Sequence, residues 1–214
     1  MIKIYILDTE ALHSQDFSAL VDALPFGDGE KSRLMAIKSQ KHKWESLGGL
    51  VALSRLLDKT PSDIPMSFEI YRAASGKPYF SSPAAPFFGI SHSCGICAAA
   101  IVDCKYGEIG FDIEAVDGKY DPLRIADRFF SEEETEQVRK SKNPAETFFS
   151  LWTAKEATAK IDGGGLSSLI LGGNMRQSTH LSKLSVELSG RRVMMSVASY
   201  VADQPIQIFT DNEV

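Results

Sequence analysis

Apolar and polar positions follow two rhythms along this chain, a period near two toward both ends and a period near 3.6 between them. Residues 2–7 alternate only in part and predict an opening strand. After a Pro-Phe-Gly-Asp-Gly turn at residues 25–29, Leu34, Ile37, Trp44, Leu47 and Val51 recur at three-, four- and seven-residue spacing. That stripe predicts one long amphipathic helical region with these five in the core. A strand is expected over residues 67–72, and Ser75-Gly76-Lys77-Pro78-Tyr79 reads as a turn that projects a lysine. Residues 87–92 and the small-apolar run 96–102 flank a short turn and predict a hairpin.

Beyond it, Gly110-Phe111-Asp112-Ile113-Glu114 alternates as a half-buried strand does, Phe111 and Ile113 on one face and both acids on the other. Asp121-Pro122, Ser131 and Asn143-Pro144 each open a helix, the last running through Phe148, Phe149, Trp152 and Glu156 to Lys160. Gly163-Gly164-Gly165 ends it. Short strands are expected over residues 181–188, 192–201 and 206–209, with a Ser189-Gly190 turn after the first. Strands at both ends with helices between predict an α+β fold. Residues 97–103 and 197–203 look alike, each a small-apolar strand ending in Asp, but there is no strong internal repeat.

Composition narrows the function. A 214-residue chain with 43% hydrophobic and 24% charged residues can bury a core as one large domain or two small ones. The net charge of -5 gives no global attraction to nucleic acid or to an anionic membrane, so any anion site must be a local basic patch. Lys31, Arg33, Lys38, Lys41, His42 and Lys43 form the one obvious cluster. The N-terminus is charged too early for a signal peptide, and no apolar run reaches membrane-spanning length. Three cysteines argue against a disulfide framework, and a reducing, cytoplasmic setting is expected.

Three acidic stretches carry the candidate chemistry. Asp112 and Glu114 share a strand face, roughly 6–7 Å apart along the backbone, close enough to grip one hard cation that would cancel their repulsion. Ser131 and Glu134 have the S-x-x-E spacing of a capping box, which accounts for both structurally. Trp152, Glu156 and Lys160 fall four apart on one helix stripe, a mixture suited to a cleft wall. A rival is zinc on His92, Cys94, Cys97 and Cys104, with CxxC spacing at Cys94 and Cys97; the second pair lacks such spacing, and the strand setting suits cysteine as a small hydrophobe.

Taken in order, Gly76-Lys77-Pro78, Ile90-Ser91-His92-Ser93, Gly110-Phe111-Asp112-Ile113-Glu114, Phe130-Ser131-Glu132-Glu133-Glu134 and the run from Trp152 to Lys160 resemble the 4′-phosphopantetheinyl transferases. The likeness is to the two-lobed, monomeric, surfactin-synthetase-activating branch. It implies a pseudo-dimer of two similar α+β lobes with the active site in the cleft between them. The expected division is residues 1–106, contributing to nucleotide binding, and residues 107–214, carrying the metal and catalytic motifs. The implied reaction, of the holo-[acyl-carrier-protein] synthase type, moves phosphopantetheine from coenzyme A to a serine of an apo acyl or peptidyl carrier protein. Adenosine 3′,5′-bisphosphate is the other product.

On that resemblance Asp112, Glu114 and Glu156 would hold Mg²⁺, with Mn²⁺ as an alternative. Glu134 would be the general base, or would position the water or lysine that deprotonates the carrier serine. Lys160 would contact the pyrophosphate and act in catalysis, while Lys77, Ser91 and His92 would bind the nucleotide, His92 at its 3′-phosphate. Three departures stand out. Phe111 replaces a smaller aliphatic residue. The basic residue expected on the first long helix aligns with Trp44 or Glu45, leaving Lys31, Lys41 or Lys43 to substitute. The glycine loop 163–166 lacks the basic residue often found there. A divalent-metal pyrophosphate or phosphodiester hydrolase would use the same acids with water as nucleophile. A zinc-stabilised binding module is the reading from another class.

Overall fold

Ile2, Ile4 and Ile6 leave one face of the opening strand, Tyr5 and Leu7 the other, and all five are buried. A strand with apolar matter on both sides cannot alternate cleanly with polar residues, which explains its blurred pattern. The computed structural model describes residues 1–58, 68–118, 120–161, 163 and 179–211. The first half runs β1 (Ile2–Asp8), α1 (Phe17–Ala23), α2 (Asp28–Ala36), α3 (Gln40–Asp58), β2 (Ile70–Arg72), β3 (Pro78–Phe80), β4 (Phe87–Ser93) and β5 (Ile96–Val102). The second runs β6 (Ile109–Ala115), α4 (Pro122–Phe129), α5 (Glu132–Lys140), α6 (Pro144–Ile161), β7 (His180–Leu188), β8 (Arg191–Ser199) and β9 (Ile206–Thr210). The result is the mixed α+β fold expected.

Two sheets do most of the organising. One has the order β4-β5-β1-β9, antiparallel except for the parallel β1–β9 pair; the other is β6-β8-β7, antiparallel throughout. Their inner faces meet: Ile2, Ile4 and Ile6 with Ile96 and Ala98 from the first sheet pack against Phe111, Ile113, Met195 and Val197 of the second. On the outer face of the first sheet lies α3, whose Leu47, Leu50, Leu53 and Leu56 are fully buried with Tyr5, Leu7 and Phe88. Each such side chain contributes about 1.5–3 kcal/mol on burial. On the outer face of the second lies α6, where Ala157 and Ile161 meet Ala198. The last strand, β9, joins β1 and so crosses the expected 106/107 boundary.

Local chemistry sets the joints. The hairpin turn between β4 and β5 has φ of 51° at Cys94 and 81° at Gly95, and the β7–β8 turn has 50° at Ser189 and 70° at Gly190. Paired positive φ values are what a two-residue hairpin loop needs to match strand twist. The expected single helical region is divided: α2 stops at Ala36, Ile37 is extended, and Ser39 begins α3 by accepting from the His42 amide at 3.4 Å. Beyond Gly163, the glycine loop lies outside the described residues.

Candidate active site

Two hydroxyls of β4 face two carboxylates of β6 across the line where the two sheets adjoin. Ser91 Oγ donates to Asp112 Oδ1 at 2.7 Å, and Ser93 Oγ donates to Glu114 Oε2 at 2.5 Å. Behind β6, α6 packs so closely that a Cβ at Gly110 would fall within the Ala157 carbonyl oxygen. Only glycine allows that approach, and it brings the last turns of α6 over the acids. Lys160 Nζ donates to Asp112 Oδ1 at 2.5 Å and lies 3.4 Å from Ser91 Oγ.

The sequence pattern implied a half-buried strand, but β6 is covered on both faces, and Asp112 is only 3% exposed. Its Oδ2 is buried with no hydrogen-bond partner. Burial pushes Glu114 up to about 7, with Asp112 and Glu156 adding to the rise against the Ser93 bond and Lys160. Burial and Asp112 likewise raise Glu156, against Lys160. Two acids that resist ionising, packed near Asp112 and one lysine, lack positive charge.

Among the described residues no group of three or more His, Cys, Asp or Glu side chains is already gathered as a metal site. The donor chemistry nevertheless fits a hard divalent cation. The orphaned Asp112 oxygen is the kind of buried acceptor such an ion satisfies, and carboxylate oxygens are its preferred ligands. The zinc alternative gathers no such support: Cys94 is exposed in the turn, and Cys97 is buried and donates to the Glu45 carbonyl oxygen.

A cavity of about 390 Å³ runs beside α2, α3 and the β2–β3 hairpin, and it adjoins the acids through Lys160, which lines it and bonds Asp112. Phe88, Ile90 and Phe111 supply apolar wall, Arg33, Arg72, Lys77 and Lys160 supply cations, and His92 supplies an imidazole. Arg33 and Arg72 are held by one buried carboxylate: Glu30 Oε1 accepts from Arg33 Nε at 2.9 Å and from Arg72 Nη2 at 2.8 Å. Burial works to raise Glu30, but the two guanidinium groups outweigh it and hold the carboxyl below its ordinary range. Arg33 belongs to the basic cluster visible in the sequence. Arg72 gives no signal there, because Glu30 is 42 residues away.

The remaining candidates are distributed as follows. Lys31 donates to the Asp22 carbonyl oxygen at 2.9 Å and is not part of the cavity wall. Lys77 is on the wall, yet its ammonium also binds Glu108 Oε2 at 2.6 Å and the Ile161 carbonyl oxygen at 2.8 Å. It thereby ties the β2–β3 hairpin to the end of α6. His92 is on the wall with Nδ1 3.5 Å from Glu45 Oε2. Glu134 does not line the cavity. It completes the capping box with Ser131 and holds Lys155 Nζ at 2.8 Å. Burial acts to raise Glu134, and Lys155 with the Ser131 amide more than reverses it. Trp152, one turn before Glu156, stacks with Phe148 in the α4–α6 aromatic cluster.

Comparison with known proteins bears on what this arrangement is. The 4′-phosphopantetheinyl transferase superfamily matches residues 108–192. AcpT of Escherichia coli K12, a 4′-phosphopantetheinyl transferase, is 31% identical over 150 residues, 69% of either chain. The chain belongs to this family. Sfp of Bacillus subtilis, a 4′-phosphopantetheinyl transferase, is 34% identical over 145 residues, 64% of this chain and 59% of its own. A putative 4′-phosphopantetheinyl transferase of Synechocystis is 28% identical over 169 residues, 77% of this chain and 66% of its own. The chain thus spans under two thirds of the length of both these transferases. The surfactin-synthetase branch suggested by the motifs is represented among the relatives. The superfamily match contains Asp112, Glu114, Glu134, Glu156 and Lys160, while the basic wall from α2 and the β2–β3 hairpin lies upstream of it. Among the described residues no helix is long and apolar enough to cross a membrane.

Proposed function

We propose that the protein transfers the 4′-phosphopantetheine arm of coenzyme A to a serine of an apo acyl or peptidyl carrier protein, releasing adenosine 3′,5′-bisphosphate. One juxtaposition supports this reading above all. A cavity is walled by Arg33, Arg72, Lys77, His92 and Lys160, and Lys160 is bonded behind that wall to Asp112, whose Oδ2 is buried and unpartnered. Cations along a cavity suit a ligand bearing several phosphates, and acids adjoining it through Lys160 suit a divalent ion bound to a pyrophosphate. Coenzyme A carries a phosphomonoester and a pyrophosphate on one molecule.

In the reaction the carrier serine oxygen attacks the phosphorus bearing the pantetheine arm. The P–O bond to the nucleotide side breaks, and the serine proton passes to a base. Asp112, Glu114 and Glu156 are the residues to hold Mg²⁺ or Mn²⁺, which when bound would neutralise charge on the departing phosphate. Lys160, already at Asp112, brings a second cation to the same oxygens. His92, Arg33 and Arg72 are assigned to the 3′-phosphate end, with Lys77 bracing the hairpin beside it. Lys31, turned to Asp22, is replaced in this role by the two arginines. Glu134 is assigned through Lys155, which it fixes by an ion pair, rather than as the base itself. Ser91 and Ser93 orient the acids.

The protein is read as a cytoplasmic, monomeric transferase of the holo-[acyl-carrier-protein] synthase type, with coenzyme A and the carrier as its partners and neither nucleic acid nor membrane among them. A pseudo-dimer with lobes near residues 1–106 and 107–214 agrees with a long helix lying across each sheet, α3 on one and α6 on the other. The test is intact-mass analysis of an apo carrier incubated with the protein, coenzyme A and Mg²⁺, with and without chelator. A chelator-sensitive gain of one phosphopantetheine is expected. No gain with several unrelated carriers, alongside metal-dependent breakdown of coenzyme A, would transfer the assignment to a hydrolase.

A further inference from the structure

Glu45 is a buried acid to which the transfer reaction gives no task. It stands on α3 with a side chain 5% exposed, and two side-chain nitrogens approach it: His92 Nδ1 at 3.5 Å, and Lys41 Nζ at 3.9 Å on a side chain that is 70% exposed. The backbone beneath it is fixed. A Cβ at Gly48 would press on Cys97 and one at Gly49 on Ile90, so α3 lies tightly on β4 and β5. Cys97 Sγ also donates to the Glu45 carbonyl oxygen at 3.3 Å. The carboxylate therefore faces the imidazole by construction.

His92 is the other half of the pair. Its ring stands on the cavity wall, and with Nδ1 turned to Glu45, Nε2 is the nitrogen left for a ligand. An imidazole between a carboxylate and a second anion must donate from both nitrogens, which only the imidazolium does. Without a ligand the balance runs the other way. Burial foremost, with Lys160 on α6 and His42 on α3, holds the imidazole below its ordinary pKa, against Glu45 on α3 and Asp112 on β6. A dianion arriving at Nε2 adds the charge that tips it.

We propose that Glu45 is a positioning residue that makes anion binding at His92 proton-linked: a phosphomonoester on the ligand binds with uptake of one proton by the imidazole, which Glu45 orients and helps hold charged. This inference rests on the functional reading above, in which that phosphomonoester is the 3′-phosphate of coenzyme A. It also gives a use to an acid in one of the two positions where a basic residue is expected. A basic side chain there would meet the phosphate directly, whereas an acid acts through a second group.

The test is calorimetric titration of coenzyme A and of 3′-dephospho-coenzyme A into the purified protein with Mg²⁺ and no carrier. Repeating it near pH 7.5 in buffers of different ionisation enthalpy counts the protons exchanged. The wild type is expected to take up most of one proton with coenzyme A and almost none with the dephospho compound. Its affinity for coenzyme A should fall about tenfold per pH unit between the unliganded and liganded pKa of His92. Glu45→Gln should flatten that slope and lose the uptake. Equal uptake in Glu45→Gln and wild type, equal uptake with both ligands, or none with coenzyme A overturns the inference while leaving carrier modification to decide the functional reading. If coenzyme A does not bind at all, both fall. Should Glu45→Gln fold poorly, the two-ligand comparison on the wild type decides alone.

Discussion

Ser93 Oγ donates to Glu114 Oε2 at 2.5 Å between strands that belong to different sheets and exchange no ladder hydrogen bonds. The neighbouring rung, Ser91 to Asp112, repeats the arrangement two residues away. Two short hydroxyl side chains thus fix the rotamers of both β6 acids from the opposite half of the chain. The Ile90-Ser91-His92-Ser93 stretch positions acids as well as lining the cavity.

Ser93→Ala should accordingly weaken divalent-ion binding while leaving the cavity intact. Expected are a several-fold rise in the Mn²⁺ dissociation constant, read by electron paramagnetic resonance, and a stability loss of about 1 kcal/mol. Ser93→Thr, which keeps the hydroxyl, should restore most of the affinity. An unchanged Mn²⁺ affinity in Ser93→Ala would show that the bond serves the fold alone.

Glu114 predicts a pH effect with a definite sign. Its folded pKa is pushed up to about 7 from the ordinary 4.5, burial being the main cause, so between those values the native state binds more protons than the unfolded chain. Its contribution to metal-free stability therefore falls as pH rises through that window. A divalent ion that neutralises the carboxylate removes the penalty. Mg²⁺ should raise the melting temperature more at pH 7.5 than at pH 5.5, where protons compete for the same oxygens. Equal shifts at the two values would separate Glu114 from the metal.

Much of this architecture was legible in the sequence, for reasons that differ by residue. The strands around Phe111 and residues 96–102 announce themselves through period and composition, and Ser131 with Glu134 announces a cap because its partners are three residues apart. What stayed hidden depends on contacts distant in the chain. Arg72 meets Glu30 across 42 residues, and β9 reaches β1 from the far end. Nor does strand alternation reveal that Asp112 is buried, because a polar residue on a covered face has the same period as one in water.

The Glu30 clamp predicts a binding effect that can be separated from folding. Arg72→Met removes one cation from the cavity wall while leaving Glu30 paired with Arg33. The expected result is a rise of about tenfold in KM for coenzyme A, the size of one lost charge-assisted bond of about 1.5–3 kcal/mol with part of it recovered from water, and little change in kcat. Glu30→Gln should do more harm, because it leaves two guanidinium groups facing each other, and its stability loss should be about 1–3 kcal/mol in urea unfolding. If Arg72→Met binds coenzyme A like the wild type, the clamp is a structural brace.

Glu134 distinguishes a base from a positioning residue. Its Oε2 accepts the Ser131 amide at 2.9 Å, and its Oε1 holds Lys155 Nζ at 2.8 Å, so both oxygens are engaged. Gln can keep the cap through its carbonyl oxygen but cannot accept a proton at neutral pH or pair a charge with Lys155. Removing a general base costs about 10²–10⁴-fold in rate. Loss of an orienting partner should cost less, and the loss should not add to that of Lys155→Met, because both changes break one pair. The expected outcome is a rate reduced by about tenfold in Glu134→Gln, a double variant no slower than Lys155→Met alone, and a stability loss smaller than that of Glu134→Ala. A drop of 10³-fold in Glu134→Gln, additive with Lys155→Met, would return the role of base to Glu134.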